Sequence, residues 1–511
     1  MKYPPRRFLP PLLLIWLVIP SLAQELDLAS FEKRITVKKL DNGLTLLVMQ
    51  RPEAPVFSFY TIVDAGSAQD PQGETGLAHM FEHMAFKGTT GIGTTNWPAE
   101  KAALEKVEQT YAAYRLEKYK TVGRDENKVK QLEQAWKNAI AEAQHYVVKN
   151  EFDEILESNG GRGVNAFTNW DETAYHYSLP ANRLQLWAYL ESERFLHPVM
   201  REFYKERDVV MEERRMRTDS QPIGRLVEQF LGESFTTFPY HRPTVGYFSD
   251  LNYFSATDAM KFFEQYYVPS DMVVAVVGDV KAAEVAALVE KYFGRLPARP
   301  KPAPLHSSEP PQNSEREVVL REASQPFYVE GYHRPNFRDP DDAVYDAISD
   351  LMSNGRTSRL YRALVRDKKI AAEAEGFSGF PGNKYEHLFA FDAVPLPGHT
   401  PEEMRNAIHE EVERLKTSYI TDEELKTVKT RAKANLIRGL ADNAGLAFQL
   451  AIYQLRYGDW REVFRSVERI DKVTKEDIRR VANKTFLPTN RTVGMIETIP
   501  GSRTPEGEKE Q

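Results

Sequence analysis

The chain has 511 residues, with 67 basic against 74 acidic side chains, a net charge of −7 and 41 % hydrophobic residues. That balance fits a soluble protein of roughly two to four globular domains, and the evenly spread charge excludes a basic nucleic-acid groove as its main function. There is no cysteine. Disulfides, thiol nucleophiles, an N-terminal lipidated Cys and Cys-bound metals are therefore excluded, and any metal must sit on His, Asp or Glu.

Lys2, Arg6 and Arg7 precede an apolar run over residues 8–22 that holds Pro10, Pro11 and Pro20 and ends in Ser21-Leu22-Ala23 before Gln24-Glu25. This reads as a secretory signal peptide over 1–23, cleaved after Ala23. The alternative, a retained membrane anchor, needs a longer run without those prolines. The mature chain is expected to begin at Gln24 and to work exported, in the periplasm, with no membrane span after cleavage.

Residues 35–63 are strand-like around 45–48 and 57–63, broken by Asn42-Gly43 and the turn at 52–55. Residues 76–86 have helical spacing. Over 95–149, Leu104, Val107, Tyr111 and Tyr114, then Val129, Leu132, Trp136, Ala139, Ile140 and Ala143, recur at helical intervals around the break at 121–124. This predicts a helical hairpin, read as a solvated decoration in preference to a partner-binding arm, because charged faces are usually just solvated. Further helices are expected over 182–195, 206–217, 223–230 and 257–266, followed by a strand at 272–277.

Six prolines crowd residues 296–314, which predicts an extended linker between an N-terminal domain over 24–295 and a C-terminal domain over 315–497, with a polar tail at 498–511. The two sides repeat. Ser255 to Asp258, a helix, then Tyr267 to Ser270 and a Val-rich strand are echoed by Thr474 to Asp477, a helix, then Phe486 to Thr489 and 492–496, at an offset of 219. In each copy a hydroxyl residue can cap the helix and a proline stops it before the strand. Two homologous α+β halves are expected.

The chemistry is concentrated in His79-Met80-Phe81-Glu82-His83. On a helix, residues four apart share a face, so the two imidazoles can hold one metal ion, with Glu82 beside them. Zinc suits such a pair and needs a third protein ligand, while a carboxylate next to the open position can take a proton from water. Alternatively, these residues merely decorate a helix. However, Leu77, Met80, Phe81, Met84 and Phe86 would bury it, and buried polar groups demand partners.

These residues resemble the His-x-x-Glu-His motif of the inverzincin metallopeptidases, the pitrilysin/insulinase family that includes the mitochondrial processing peptidase β subunit. Further blocks are similar to the family's at Met84 to Thr89, Gly163 to Thr168 with Glu172 to Tyr175, and Glu206 to Glu213. The resemblance runs from about Ile35 to Ile496. It implies zinc held by His79, His83 and Glu213, with Glu206 in support and Glu82 as general base of peptide-bond hydrolysis. Asn165 and Ala166 would lie on an edge strand that binds a peptide substrate as an added strand. The fold implied is α+β: two homologous domains, each an antiparallel-rich sheet with helices packed on one face, forming half of a clamshell chamber.

The interval between His83 and Glu213 is longer than in compact members, and the predicted hairpin accounts for the excess. In the second half, 353–361 is similar to the family's glycine/serine stretch. No metal motif recurs there, so one site per chain is expected. Where many second halves carry an arginine and a tyrosine that steady the substrate carbonyl, the tyrosine position is Ala372. A second family subunit, as a heterodimer, or a homodimer is expected to complete the site. A zinc endopeptidase is thus the expected function; the alternatives are a non-catalytic supporting subunit and a zinc-storage or scaffold protein. His145, His176, His197, His241 and His409 are left to structural or solvent roles.

Overall fold

The computed structural model describes residues 28–499. The expected signal peptide and nearly all of the polar tail lie outside the described residues. Among those described, no helix is long and apolar enough to cross a membrane.

The first half contributes Ile35–Lys39 (β1), Thr45–Gln50 (β2), Val56–Val63 (β3), Arg162–Thr168 (β4), Thr173–Pro180 (β5) and Met272–Gly278 (β6), in the order β1-β2-β6-β3-β5-β4. The second half contributes Arg316–Glu322 (β7), Phe327–Arg334 (β8), Ala371–Phe380 (β9), His387–Pro395 (β10) and Arg491–Thr498 (β11), in the order β7-β11-β8-β10-β9. Apart from β1, the two sheets correspond strand for strand in order. The pairs β2–β6 and β7–β11 are parallel and every other pair is antiparallel.

The repeat seen in the sequence explains this correspondence. Ser255 and Asp258 form a capping box at the start of helix Ala256–Tyr266, and Thr474 and Asp477 do the same for Lys475–Thr485. Each box satisfies otherwise orphaned N–H groups. Each helix is followed by a proline-led turn, at Pro269–Asp271 and Pro488–Asn490, and then by a central strand. These are the two homologous α+β halves expected.

The central strands of each sheet are buried on both faces. Leu46, Val48, Phe57, Phe59, Val274 and Val276 pack on the first half's own helices, whereas Leu47, Met49, Ile62, Val273, Ala275 and Val277 face Leu446, Ala447, Leu450 and Ala451. The latter belong to helix Asn443–Tyr457 of the second half. Reciprocally, Leu226 and Phe230 of the first-half helix Pro222–Ser234 pack on Phe327, Val329 and Ile496. Both helices precede the capping box of their own repeat, so equivalent helices are exchanged. Burial on both sides explains why β6 reads as the unbroken run MVVAVVG instead of alternating.

The proline-rich segment 297–314 has no regular structure but is tied down. Lys301 pairs with Asp271 at 2.7 Å, and Glu309 accepts hydrogen bonds from the Thr236, Thr237 and Phe238 amides.

Near the free edge of the second sheet, Asp392 stands directly opposite Glu375. Burial, with Glu375 and Glu373 adding repulsion, pushes the Asp392 carboxyl up to about 7. The folded value lies above the unfolded one of about 4, so the native state holds an extra proton between pH 4 and 7. Stability from this group is full below pH 4 and is lost as pH rises through 7. Asp392→Asn is expected to stabilise the protein by about 2 kcal/mol at pH 8 and by nothing measurable at pH 4, read by thermal unfolding at both pH values.

Candidate metal centre

Helix Leu77–Met84 is started by a buried aspartate and a glycine. Asp70 accepts from the amides of Gly76 at 2.7 Å and Ala78 at 2.9 Å, satisfying orphan donors of the first turn. Gly76 has φ +96°, and a side chain there would press on the Val245 carbonyl. Leu77, Met80, Phe81 and Met84 are buried, with Phe81 stacked on Phe263. Burial of that face directs His79, Glu82 and His83 toward helix Phe203–Arg214.

The two helices bring the expected ligands together. His79 Nε2 lies 3.6 Å from Glu213 Oε1, and His83 Nε2 lies 3.5 Å from Glu213 Oε2. One atom from each of the three residues falls within a 4.8 Å cluster, which among the described residues is the single such group. Glu206 sits one face-repeat before Glu213, with Oε2 3.5 Å from His83 Nδ1 and its other oxygen paired with Lys87. Glu212 lines the same cleft but stays outside the cluster and pairs with Arg215.

The donor set fits zinc. Two imidazole Nε2 atoms converge on one carboxylate, the far nitrogen of one imidazole is held by a second carboxylate, and the fourth side opens on a cleft. Burial, aided by the neighbouring His83, lowers His79 to about 4, which keeps it in the neutral, ligating form. For His83, burial works against the charge, but Glu206 and Glu213 outweigh it and raise the imidazole to about 9. Two carboxylates around one imidazole form a cation-seeking environment.

Glu82 lines the same cleft. Burial raises its carboxyl above the ordinary range, against the pull of the Thr168 hydroxyl and His83, and its Oε2 is buried without a hydrogen-bond partner. The cleft has a volume of about 920 Å³, and all its lining residues lie between 79 and 245. Asn165 and Ala166 line it from β4, the free edge of the first sheet, where they pair with His176 and Tyr175. Ala372 is exposed at the start of β9, and the neighbouring Arg366 pairs with Asp367 at a separate surface pocket.

The predicted hairpin is present as Trp97–Lys118 and Glu126–Ala143, but it is more than a solvated decoration. Its inner face buttresses the helix that carries Glu206 and Glu213. Tyr204 donates to Glu108 at 2.6 Å, Arg207 donates to Tyr111 at 2.8 Å, and Tyr111 and Trp136 pack on Tyr204, with Tyr114 stacked on Trp136. Glu100 forms a bidentate pair with Arg201 at 2.6 and 2.8 Å, and Arg201 also donates to the carbonyls of Lys87, Thr89 and Ile92. Glu100 and Arg201 are both fully buried. The hairpin thus fixes the loop that follows helix Leu77–Met84, including the Lys87 that holds Glu206. Sequence reasoning missed Lys87, Arg201 and Arg217; the signal for Arg217 was its place one turn after Glu213, on the same helical face.

Two family models match the chain: Insulinase (Peptidase family M16) over residues 46–114, and Peptidase M16 inactive domain over 253–432. The zinc protease PqqE of Helicobacter pylori is 28 % identical over 466 residues, covering 90 % of this chain and 91 % of that relative. Both matched regions are insulinase-family (M16) domains. The crystal structure of a protease from Helicobacter pylori matches with a TM-score of 0.75 and 27 % identity, covering 91 % of this chain and 99 % of that one. An Arabidopsis thaliana protein named "Probable mitochondrial-processing peptidase subunit beta, mitochondrial" is 23 % identical over 490 residues, covering 93 % and 80 %. The region matching the inactive-domain model lies wholly outside the cleft lining, which comes from the half that carries His79, His83 and Glu213.

Proposed function

We propose that the chain is a zinc-dependent endopeptidase that hydrolyses peptides or unfolded polypeptide segments in an exported compartment, with the periplasm favoured by the leader-like residues 1–23. The observation that carries this reading is the orphaned Glu82 carboxylate oxygen, buried in the same cleft as the convergent His79, His83 and Glu213. A supporting subunit without activity has no use for a poised base, and neither has a storage site.

His79, His83 and Glu213 would hold the ion, with Glu206 steadying His83. Bound zinc supplies the Lewis acidity that makes water nucleophilic near neutral pH. Glu82 takes the proton of the attacking water and later delivers it to the departing amine, a task suited to a carboxylate whose proton affinity is raised by burial. β4 presents an unpaired edge beside these groups, so the peptide is gripped by its backbone as a further strand along Asn165 and Ala166. A second family subunit, or a second copy of this chain, closes the open side of the cleft; the relative named as a subunit β supports that arrangement.

Metal analysis of the chain from Gln24 onward tests the reading. About one zinc per chain is expected, lost in His83→Ala, with hydrolysis of an unfolded polypeptide abolished by a chelator and restored by zinc. Undiminished hydrolysis by metal-free protein, or none by the zinc-loaded chain with its partner, would overturn it.

A further inference from the structure

We propose that Arg217 is a catalytic residue: its guanidinium donates to the carbonyl oxygen of the substrate as that oxygen becomes anionic. This rests on the hydrolytic reading above. The sequence suggested that this donor comes from a second chain, because Ala372 stands where a tyrosine was expected. The cleft points elsewhere. Among the described residues that line it, Arg217 is the single lysine or arginine, and none comes from the second half.

Arg217 is aimed there by local structure. Helix Phe203–Arg214 does not end after Glu213 but runs on as one π-helical turn over Arg215–Asp219, a feature common at functional sites. The turn is held from several sides. Arg214 forms a bidentate pair with Glu228 and donates to the Gly246 carbonyl at 2.8 Å. Arg225 donates to the Asp219 carbonyl, and Ser220 donates to the Arg215 carbonyl at 2.6 Å. Residue 224 must be glycine, because a methyl group there would collide with the Arg217 carbonyl. From this fixed backbone Arg217 Nη1 reaches Glu213 Oε1 at 2.7 Å, while the side chain stays 68 % exposed and lines the cleft. Arg214 and Arg215 pair with Glu228 and Glu212 and do not line the cleft, so Arg217, although it also touches Glu213, is the arginine of the run that faces it.

The chemistry needs such a group. As Glu82 removes a proton from water, a new C–O bond forms at the scissile carbon and the π pair of the carbonyl moves onto its oxygen. An N–H of Arg217 stabilises that charge. Collapse re-forms the carbonyl and breaks the C–N bond, and the proton held by Glu82 passes to the amine. Donors preorganised for an oxyanion are often worth about 10²–10³ in rate.

The test compares wild type, Arg217→Met and Arg217→Lys as full mature chains loaded with zinc. Because Arg217 is exposed, all three should fold. For Arg217→Met, kcat is expected to fall about 10²-fold, with KM within about threefold and zinc content unchanged, and the lysine variant should recover part of the loss. Binding of a phosphinic peptide, which mimics the tetrahedral anion, should weaken by a similar factor, whereas an uncleaved peptide should bind equally well to Glu82→Gln with and without the Arg217 change. Equal phosphinic-peptide binding by wild type and Arg217→Met, or a loss of kcat reversed by excess zinc, would overturn the role of Arg217 alone. A zinc-loaded wild type that, together with its partner, binds the phosphinic peptide but cleaves nothing would overturn the hydrolytic reading and this role with it.

Discussion

Glu82→Gln is expected to lower kcat/KM for peptide hydrolysis by about 10³-fold while the protein still binds about one zinc per chain. Glutamine has nearly the same shape, so helix Leu77–Met84 and its buried face of Leu77, Met80, Phe81 and Met84 should stay in place. What is lost is the acceptor of the proton from water. Burial raises the Glu82 carboxyl and leaves its Oε2 without a partner, so this oxygen has nothing else to stabilise in the resting fold. The residual activity should also lose the acid limb of the kcat/KM profile against pH, which in the wild type reports protonation of this base. Activity within threefold of wild type would assign the base elsewhere.

Arg201→Met is expected to destabilise the protein by about 3–5 kcal/mol, among the largest effects available to a single substitution outside the cleft. Arg201 and Glu100 are buried against each other, and removing the guanidinium strands a carboxylate in the interior together with the carbonyls of Lys87, Thr89 and Ile92. Glu100→Met combined with Arg201→Met should recover much of the loss, since no unpaired charge then remains. Zinc affinity should fall in Arg201→Met as well, because the loosened loop carries Lys87, which holds Glu206 against His83. Denaturant unfolding and zinc competition measure the two effects. An Arg201→Met protein as stable as wild type would show that the hairpin does not brace the site.

Local patterns account for what was legible in the sequence. The capping boxes at Ser255 and Thr474, each followed by a proline and a strand, are set by neighbours a few residues away, so the repeat could be read directly. The one-face spacings of His79 with His83 and of Glu206 with Glu213 are likewise helical arithmetic, and the structure brings these side chains together. The hairpin shows where this stops. Tyr111, Tyr114 and Trp136 announced a buried face, but nothing local said that its partner is the helix bearing Glu213, about 90 residues away. Arg217 was missed for a related reason, because its aim depends on a π turn fixed by Gly224 and Glu228 of the next helix. The exchange of equivalent helices was equally hidden: an apolar face shows that it must be covered, not which half covers it.

That exchange bears on how the molecule moves. Helix Pro222–Ser234 lies on the second sheet and helix Asn443–Tyr457 on the first, so swinging the halves apart about residues 297–314 would strip two apolar faces at once. At about 25 cal/mol for each Å² exposed, even a few hundred Å² costs many times thermal energy. The flanking ion pairs of Glu172 with Arg456 and Asp64 with Lys384, and the grip of Asp171 on the Asn383 and Lys384 amides, add to the cost. The chain therefore behaves as a single stiff valve. Access to the cleft is then left to flexing of the segments that rim it, and not to a swing about residues 297–314.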